Sequence, residues 1–152
     1  MSELARARHL VRRFVASLSR KPPSATDTQW AEGLLLPGER ALWQSMSTVD
    51  RRHSVMVARR FAATCGDAPR EALAAALLHD VGKTASGLGT FSRVVATIVG
   101  PRTERFRVYH DHERIGAEML RGADAAEITV SLVDGSSDDR ATLAALRAAD
   151  DI

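Results

Sequence analysis

The chain has little of the material from which disulfide-stapled, membrane-spanning or all-β proteins are built. It contains a single cysteine, Cys65, so it cannot form an internal disulfide and does not require an oxidising compartment. No apolar run approaches the roughly 20 residues that a membrane-spanning helix needs. Aromatic residues, which favour strands, make up only 5% of the chain. We therefore expect a cytoplasmic, all-α protein without a membrane span.

The chain does have enough apolar material for one helical domain. Hydrophobic residues make up 45% of the 152 positions, and good helix formers dominate. The formal net charge of +2 is a mild bias towards anionic ligands and no strong signal for nucleic-acid binding. Basic residues crowd the beginning of the chain, where they indicate either a solvated helix face or contact with a membrane surface or polyanion.

Apolar spacing, prolines and capping residues predict a series of helices. They cover residues 3–18, 28–36, 39–46, 49–65, 69–78, 91–99, 111–120 and 125–133, and a last helix runs to the C-terminus, capped by Asp138 or Asp139. Residues 125–133 are partly β-branched, so a strand stays open there. Residues 84–90 and 102–107 are predicted loops, and Gly66 is predicted to end its helix in the left-handed conformation.

One predicted helix ends in two polar side chains. The apolar stretch up to Leu78 runs directly into His79 and Asp80. Buried polar groups without a partner cost about 1–3 kcal/mol each, so this helix end indicates a partner such as a divalent metal ion. Antiparallel packing with the preceding helix would bring His53 to the same place. Other candidate ligands are His112 with His110 nearby, and Asp150 with Asp151 beside it.

A site made from His53, His79, Asp80 and Asp150 would offer two imidazoles and two carboxylates. That mixed set suits Mn, Fe, Co, Ni or Zn better than Mg, which prefers oxygen ligands. Four ligands on an octahedral ion leave positions for water and substrate, and such a water can attack a phosphorus atom. Any one of these residues alone is more often a helix cap or a surface group, so only their combination indicates a metal.

The order of these motifs resembles the HD superfamily of metal-dependent phosphohydrolases. The motifs are His53, the run from His79 to Lys83, the run from His112 to Glu118, and Ala148-Ala149-Asp150. The resemblance implies an HD-domain helical bundle over residues 49–152, with residues 1–48 as an additional helical extension packed on it. It also implies that His53, His79, Asp80 and Asp150 are the metal ligands and that the substrates are small phosphate esters, commonly nucleotides.

The resemblance implies roles for further residues. Lys83 matches a lysine that faces the substrate phosphate, so the expected catalytic residues are Asp80, Lys83 and His112. His112 would either hold a second, weaker metal ion or donate a proton to the leaving oxygen. Arg114, like Arg93, is a candidate for binding the phosphate. Asp150 is favoured over Asp151 as a ligand because it ends the Ala-Ala-Asp motif.

Two departures from the HD family narrow the expected activity. The paired histidines of cyclic-dinucleotide phosphodiesterases are missing, since residues 129–140 contain no histidine, and the Gly-Tyr-Pro signature is absent too. Lys83-Thr84 stands where guanosine tetraphosphate hydrolases carry a Glu-Asp pair.

We expect a metal-dependent phosphohydrolase acting on a nucleotide. The alternatives are a phosphodiesterase for a cyclic nucleotide or an RNA end, and a catalytically silent signalling or scaffold module. The N-terminal segment would shape the substrate entrance or a homodimer contact.

Overall fold

The computed structural model describes residues 21–86 and 112–151. These two ranges contain no strand, so the expected all-α fold is confirmed. The predicted helices over residues 3–18 and 91–99 and the predicted loop over 102–107 lie outside the described residues. The elements are α1 (Ala25–Leu34), α2 (Pro37–Ser45), α3 (Thr48–Thr64), α4 (Arg70–Leu78), a 3-10 helix (Val81–Ser86), α5 (His112–Gly122), α6 (Glu127–Asp134) and α7 (Arg140–Asp150).

Helix α4 is the centre of the bundle. Its sequence of alanines and leucines is apolar around most of its circumference, and a helix of that kind is stable only when other elements surround it. It packs against α1, α2, α3 and α6. Its buried residues are Ala72, Ala74, Ala75, Ala76, Leu77 and Leu78. The end of α4 therefore lies inside the protein, and the residues that follow Leu78 start from the interior.

Side-chain caps fix where three of the helices begin. The Ser24 hydroxyl accepts a hydrogen bond from the backbone N–H of Asp27, so α1 starts at Ala25 and not at residue 28 as predicted. Ser47 caps α3 in the same way, and Asp139 caps α7. Each cap satisfies a backbone donor that a helix leaves unpaired in its first turn.

Two local predictions are wrong. The loop predicted over residues 84–90 is wrong for residues 84–86, because Val81–Ser86 form a 3-10 helix in which the Thr84 hydroxyl donates to the Val81 carbonyl. Residues 87–90 lie outside the described residues. Gly66 does not have the predicted left-handed conformation, and the residue that caps the end of α3 is Cys65, which has a negative φ. Among the described glycines, the one with a positive φ is Gly135, which caps the end of α6. Residues 125–133, left open between helix and strand, lie largely in α6.

Of the predicted N-terminal extension, residues 1–48, the structure describes residues 21–48. Helices α1 and α2 both pack against α4, and α2 also contacts α5. The predicted division between residues 48 and 49 stays a prediction. Within the described ranges, none of the helices combines the length and the apolar character needed to cross a membrane.

Glu39 is a buried carboxylate that ties three helices together. Its side chain has no exposed surface. One carboxylate oxygen accepts hydrogen bonds from the Leu36 backbone N–H at 2.8 Å and from Arg70 Nη1 at 2.9 Å. The other accepts from the Ala126 backbone N–H at 3.3 Å. The starts of α2, α4 and α6 are therefore joined through one fully partnered side chain.

Replacing Glu39 by alanine should lower the free energy of unfolding by about 3 kcal/mol, because it removes a buried acceptor from two backbone donors and from the half-buried guanidinium of Arg70. Chemical denaturation followed by circular dichroism would measure the loss. Glu118→Ala is the matched control, because Glu118 forms an exposed ion pair with Arg114 and should change stability by less than about 0.5 kcal/mol. Equal effects of the two substitutions would contradict the role given to Glu39.

Candidate metal centre

Three helices bring the candidate ligands to the inner end of α4. Helix α3 contributes His53, and the residues after α4 contribute His79 and Asp80. Asp150 is the last residue of α7, which packs against α3. That packing is fixed near the site by Arg60 of α3, whose guanidinium donates to the carbonyl of Ala149 at 3.3 Å. The site is thus built where three helices meet.

The structure brings together all four residues predicted as metal ligands. The ligand atoms of His53, His79 and Asp80 all lie within 4.8 Å of one another, and the two imidazole ring centroids are 5.8 Å apart. Asp150 Oδ1 lies 2.9 Å from His53 Nε2 and 3.5 Å from His79 Nε2. Asp80 Oδ2 lies 3.4 Å from His79 Nε2. Two imidazoles and two carboxylates therefore converge on one small volume.

The tautomer of His79 shows whether this set fits a cation. Its Nδ1 lies 2.8 Å from the carbonyl of Ala76, which can only accept, so Nδ1 carries a proton. In the neutral ring Nε2 then presents a lone pair towards the cluster. This Nε2 is buried and has no hydrogen-bond partner in the described part of the chain. A buried nitrogen of this kind, facing two carboxylates, fits a divalent cation.

The negative charges around His79 favour a positive charge at this position, which is a proton on the ring when no metal is bound. Burial by itself would lower the pKa of His79, but the charge of Asp80, Asp150 and the Ala76 carbonyl outweigh it and raise the pKa to about 9. Burial would likewise raise the pKa of Asp80, yet His79, Lys83 and His112 lower it to about 2. The hydrogen bond from His53 and the charge of His79 hold the pKa of Asp150 well below its usual range. Both carboxylates are therefore ionised and attract positive charge.

Lys83 and His112 also lie next to the Asp80 carboxylate. The ammonium of Lys83 lies 2.7 Å from Asp80 Oδ2, and His112 Nε2 lies 3.7 Å from Asp80 Oδ1. The 3-10 helix explains the first contact, because residues three apart lie on the same side of such a helix. Both residues predicted to be catalytic beside Asp80 thus adjoin it.

Two glycines bring His112 to this position. A Cβ atom on Gly82 would overlap the backbone carbonyl of His112, and one on Gly116 would lie 3.2 Å from the backbone N of Gly82. The backbone that approaches Gly116 closely belongs to the 3-10 helix. The start of α5 can reach Asp80 only because both positions lack a side chain.

The other residues predicted for the site lie outside the ligand cluster or outside the described residues. Arg114 is exposed and donates to Glu118 Oε1 at 2.9 Å, and it is not among the described residues around the cavity beside the site. Asp151 is exposed, whereas Asp150 contacts both histidines. His110 and Arg93 lie outside the described residues.

A cavity of about 230 Å³ opens beside the cluster. One part of its wall is charged or polar and includes Asp80, Lys83 and His112, while another part is apolar. The cavity wall also contains Arg147, which was not predicted as a site residue. Arg147 could have been predicted from its spacing to Asp150, since residues three apart share one face of a helix. The apolar part consists of Val57, Ala75, Ala76, Leu132, Val133, Leu143 and Leu146.

A comparison with protein families gives one match. The family model described as the HD domain matches residues 51–148, which is more than half of the chain. The matched range contains His53, His79, Asp80 and His112 and ends just before Asp150. No curated protein and no solved structure matches the chain.

Replacing Gly82 by alanine should destabilise the fold by roughly 2–3 kcal/mol, because the new methyl group has to displace the start of α5. Thermal and urea unfolding would measure this change. Gly33→Ala is the control, because nothing lies within 4 Å of a Cβ at this position in α1, and it should leave stability unchanged or raise it slightly. A Gly82→Ala protein as stable as wild type would show that α5 does not depend on this contact.

Proposed function

The chain belongs to the HD-domain family of metal-dependent phosphohydrolases, and from this we propose that it hydrolyses a phosphate ester at the site at the inner end of α4. We propose His53, His79, Asp80 and Asp150 as the residues that would hold a divalent ion. Mn, Fe, Co, Ni and Zn suit these nitrogen and oxygen ligands better than Mg. The proposed substrate is a small phosphorylated molecule, a nucleotide in particular.

The observation that carries the proposal is the buried, unpartnered Nε2 of His79 between two ionised carboxylates. A protein that had no use for a ligand here would gain by giving this atom a donor or by replacing it with an apolar group. The neighbouring Nε2 of His53 and the oxygens of Asp80 and Asp150 complete a donor set of the right chemistry and reach. These features support a cation as the absent partner.

A divalent ion bound at this site would supply an acidified water as nucleophile and polarise the phosphoryl oxygens. The protein's own groups would complete the reaction. Lys83 keeps its ammonium at the cavity wall beside Asp80, where a phosphate oxygen can reach it. His112 lines the same cavity, and its imidazole can donate a proton to the leaving oxygen. The apolar wall can hold the part of the substrate that does not react.

Between a monoester and a diester substrate, the residues around Asp80 favour the monoester. Asp80 Oδ2 already lies against the Lys83 ammonium, and residues 129–140 provide no histidine for a second ion. With one ion, the site suits a terminal phosphate. A phosphodiesterase acting on a cyclic nucleotide or an RNA end is the second candidate, and it would require His112 to hold a second ion.

Replacing Asp80 by asparagine should remove bound metal and lower the hydrolysis of 4-nitrophenyl phosphate by roughly 100-fold or more, because the isosteric amide lacks the charge that holds the ion. Elemental analysis of purified protein and a colorimetric assay with added Mn²⁺ would measure the two effects. Asp67→Asn is the control, since Asp67 is exposed in the turn after α3.

The same experiment separates an enzyme from a silent module. Equal metal binding by wild type and by Asp80→Asn would contradict the proposed set of metal ligands. Metal bound by wild type only, with no turnover of a panel of mononucleotides, cyclic nucleotides and generic esters, would favour a signalling or scaffold role.

We expect one equivalent of metal per chain and faster hydrolysis of a phosphomonoester than of bis(4-nitrophenyl) phosphate. The reason is that Lys83 competes with a second ion for Asp80. Metal titration by calorimetry, combined with both assays, tests this. Two equivalents together with a preference for the diester would support the phosphodiesterase instead.

A further inference from the structure

Arg147 occupies a position from which it can reach a ligand in the cavity. It lies in the last turn of α7, three residues before Asp150, so both side chains project from the same face of the helix. It lines the cavity together with Lys83, His112 and Asp80. Its guanidinium therefore adjoins the volume in which the proposed substrate would bind.

Arg147 is exposed, and its guanidinium differs from those of the four arginines that form ion pairs in the bundle. Arg59, Arg70, Arg114 and Arg121 each pair with a carboxylate at 2.9–3.2 Å. Arg147 has no ion pair and no side-chain hydrogen bond within residues 21–86 and 112–151. A planar cation with five donors and no carboxylate partner is suited to receive an anion.

The neighbouring groups leave room for this anion. Gly135 lies under the guanidinium, and a Cβ there would be 3.5 Å from Arg147 Nη2. Three carboxylates line the cavity. Asp80 and Asp150 already have cations or donors, since Lys83 lies on Asp80 and His53 lies on Asp150, and Glu113 is exposed and forms no ion pair with Arg147. Within the described residues, the charge of Arg147 is therefore available to an anion that enters the cavity.

We propose that Arg147 binds an anionic oxygen of the substrate's phosphate and so sets the affinity for phosphate esters. This inference rests on the proposed function, because it assumes that the cavity is the substrate site. A guanidinium presents two parallel N–H groups to two phosphate oxygens, which a lysine cannot do. The substrate phosphate is anionic before and during the reaction, so the contact contributes to binding more than to the chemical step.

Arg147→Gln should raise the KM for 4-nitrophenyl phosphate roughly 10- to 100-fold with kcat changed by less than about threefold. It should weaken binding of inorganic phosphate, measured by calorimetry on the metal-loaded protein, by the same factor. Arg147→Lys should recover part of the loss through its charge. Arg140→Gln, at the exposed start of the same helix, should leave both measurements unchanged.

The outcomes separate this inference from the proposed function. If wild type turns over the ester and Arg147→Gln leaves both KM and phosphate affinity unchanged, the inference is overturned and the proposed function stands. A lower melting temperature without a change in phosphate affinity would assign Arg147 to covering the end of α6, which also overturns it. If wild type shows no turnover, the proposed function fails, while the phosphate titration of Arg147→Gln still decides whether Arg147 binds the anion.

Discussion

The site depends on the burial of one negative charge. Asp80 is only 4% exposed and closely follows α4, an apolar helix with six buried residues. An ionised carboxylate in that position is tolerated only when cations and donors surround it. Each residue of the motif serves this requirement: Val81 anchors the segment in the core, Gly82 admits α5 with His112, and Lys83 returns to Asp80 through the 3-10 helix. The short sequence from His79 to Lys83 is therefore a structural unit as well as a chemical one.

The same unit explains how much of the fold and site the sequence could reveal. His79 and Asp80 were recognisable because an apolar helix runs into them, and prolines and capping residues marked several helix ends, although the Ser24 cap of α1 was missed. The 3-10 helix was missed because its stability comes from the contact between Gly82 and Gly116, which are far apart in the chain. The convergence of His53 and Asp150 also depends on how α7 packs against α3, and local patterns do not contain that information.

Arginine was the hardest residue type to interpret from sequence. Lysine and arginine together account for 21 residues, so an individual arginine carried little signal. Arg114 was chosen because its guanidinium can bind a phosphate, yet Glu118 stands four residues later, the spacing at which helical ion pairs form, and the two pair on an exposed surface. Arg147 also has acidic residues at helical spacing, Asp150 and Asp151, yet Asp150 Oδ1 contacts the histidines and Arg147 forms no ion pair within the described residues. Spacing within a helix therefore did not by itself show whether an arginine is paired.

The two buried carboxylates of the bundle show what distinguishes a structural charge from a site. Glu39 has both oxygens satisfied by an arginine and two backbone donors, all within the fold, and no neighbouring polar atom is left without a partner. Asp80 is buried to a similar degree, but the cluster around it contains an imidazole nitrogen with no hydrogen bond in the described structure. Since the chain is able to satisfy a buried carboxylate completely, the incomplete arrangement beside Asp80 favours a partner from outside the chain. A cation is the partner that would satisfy His79 Nε2 and both carboxylates at once.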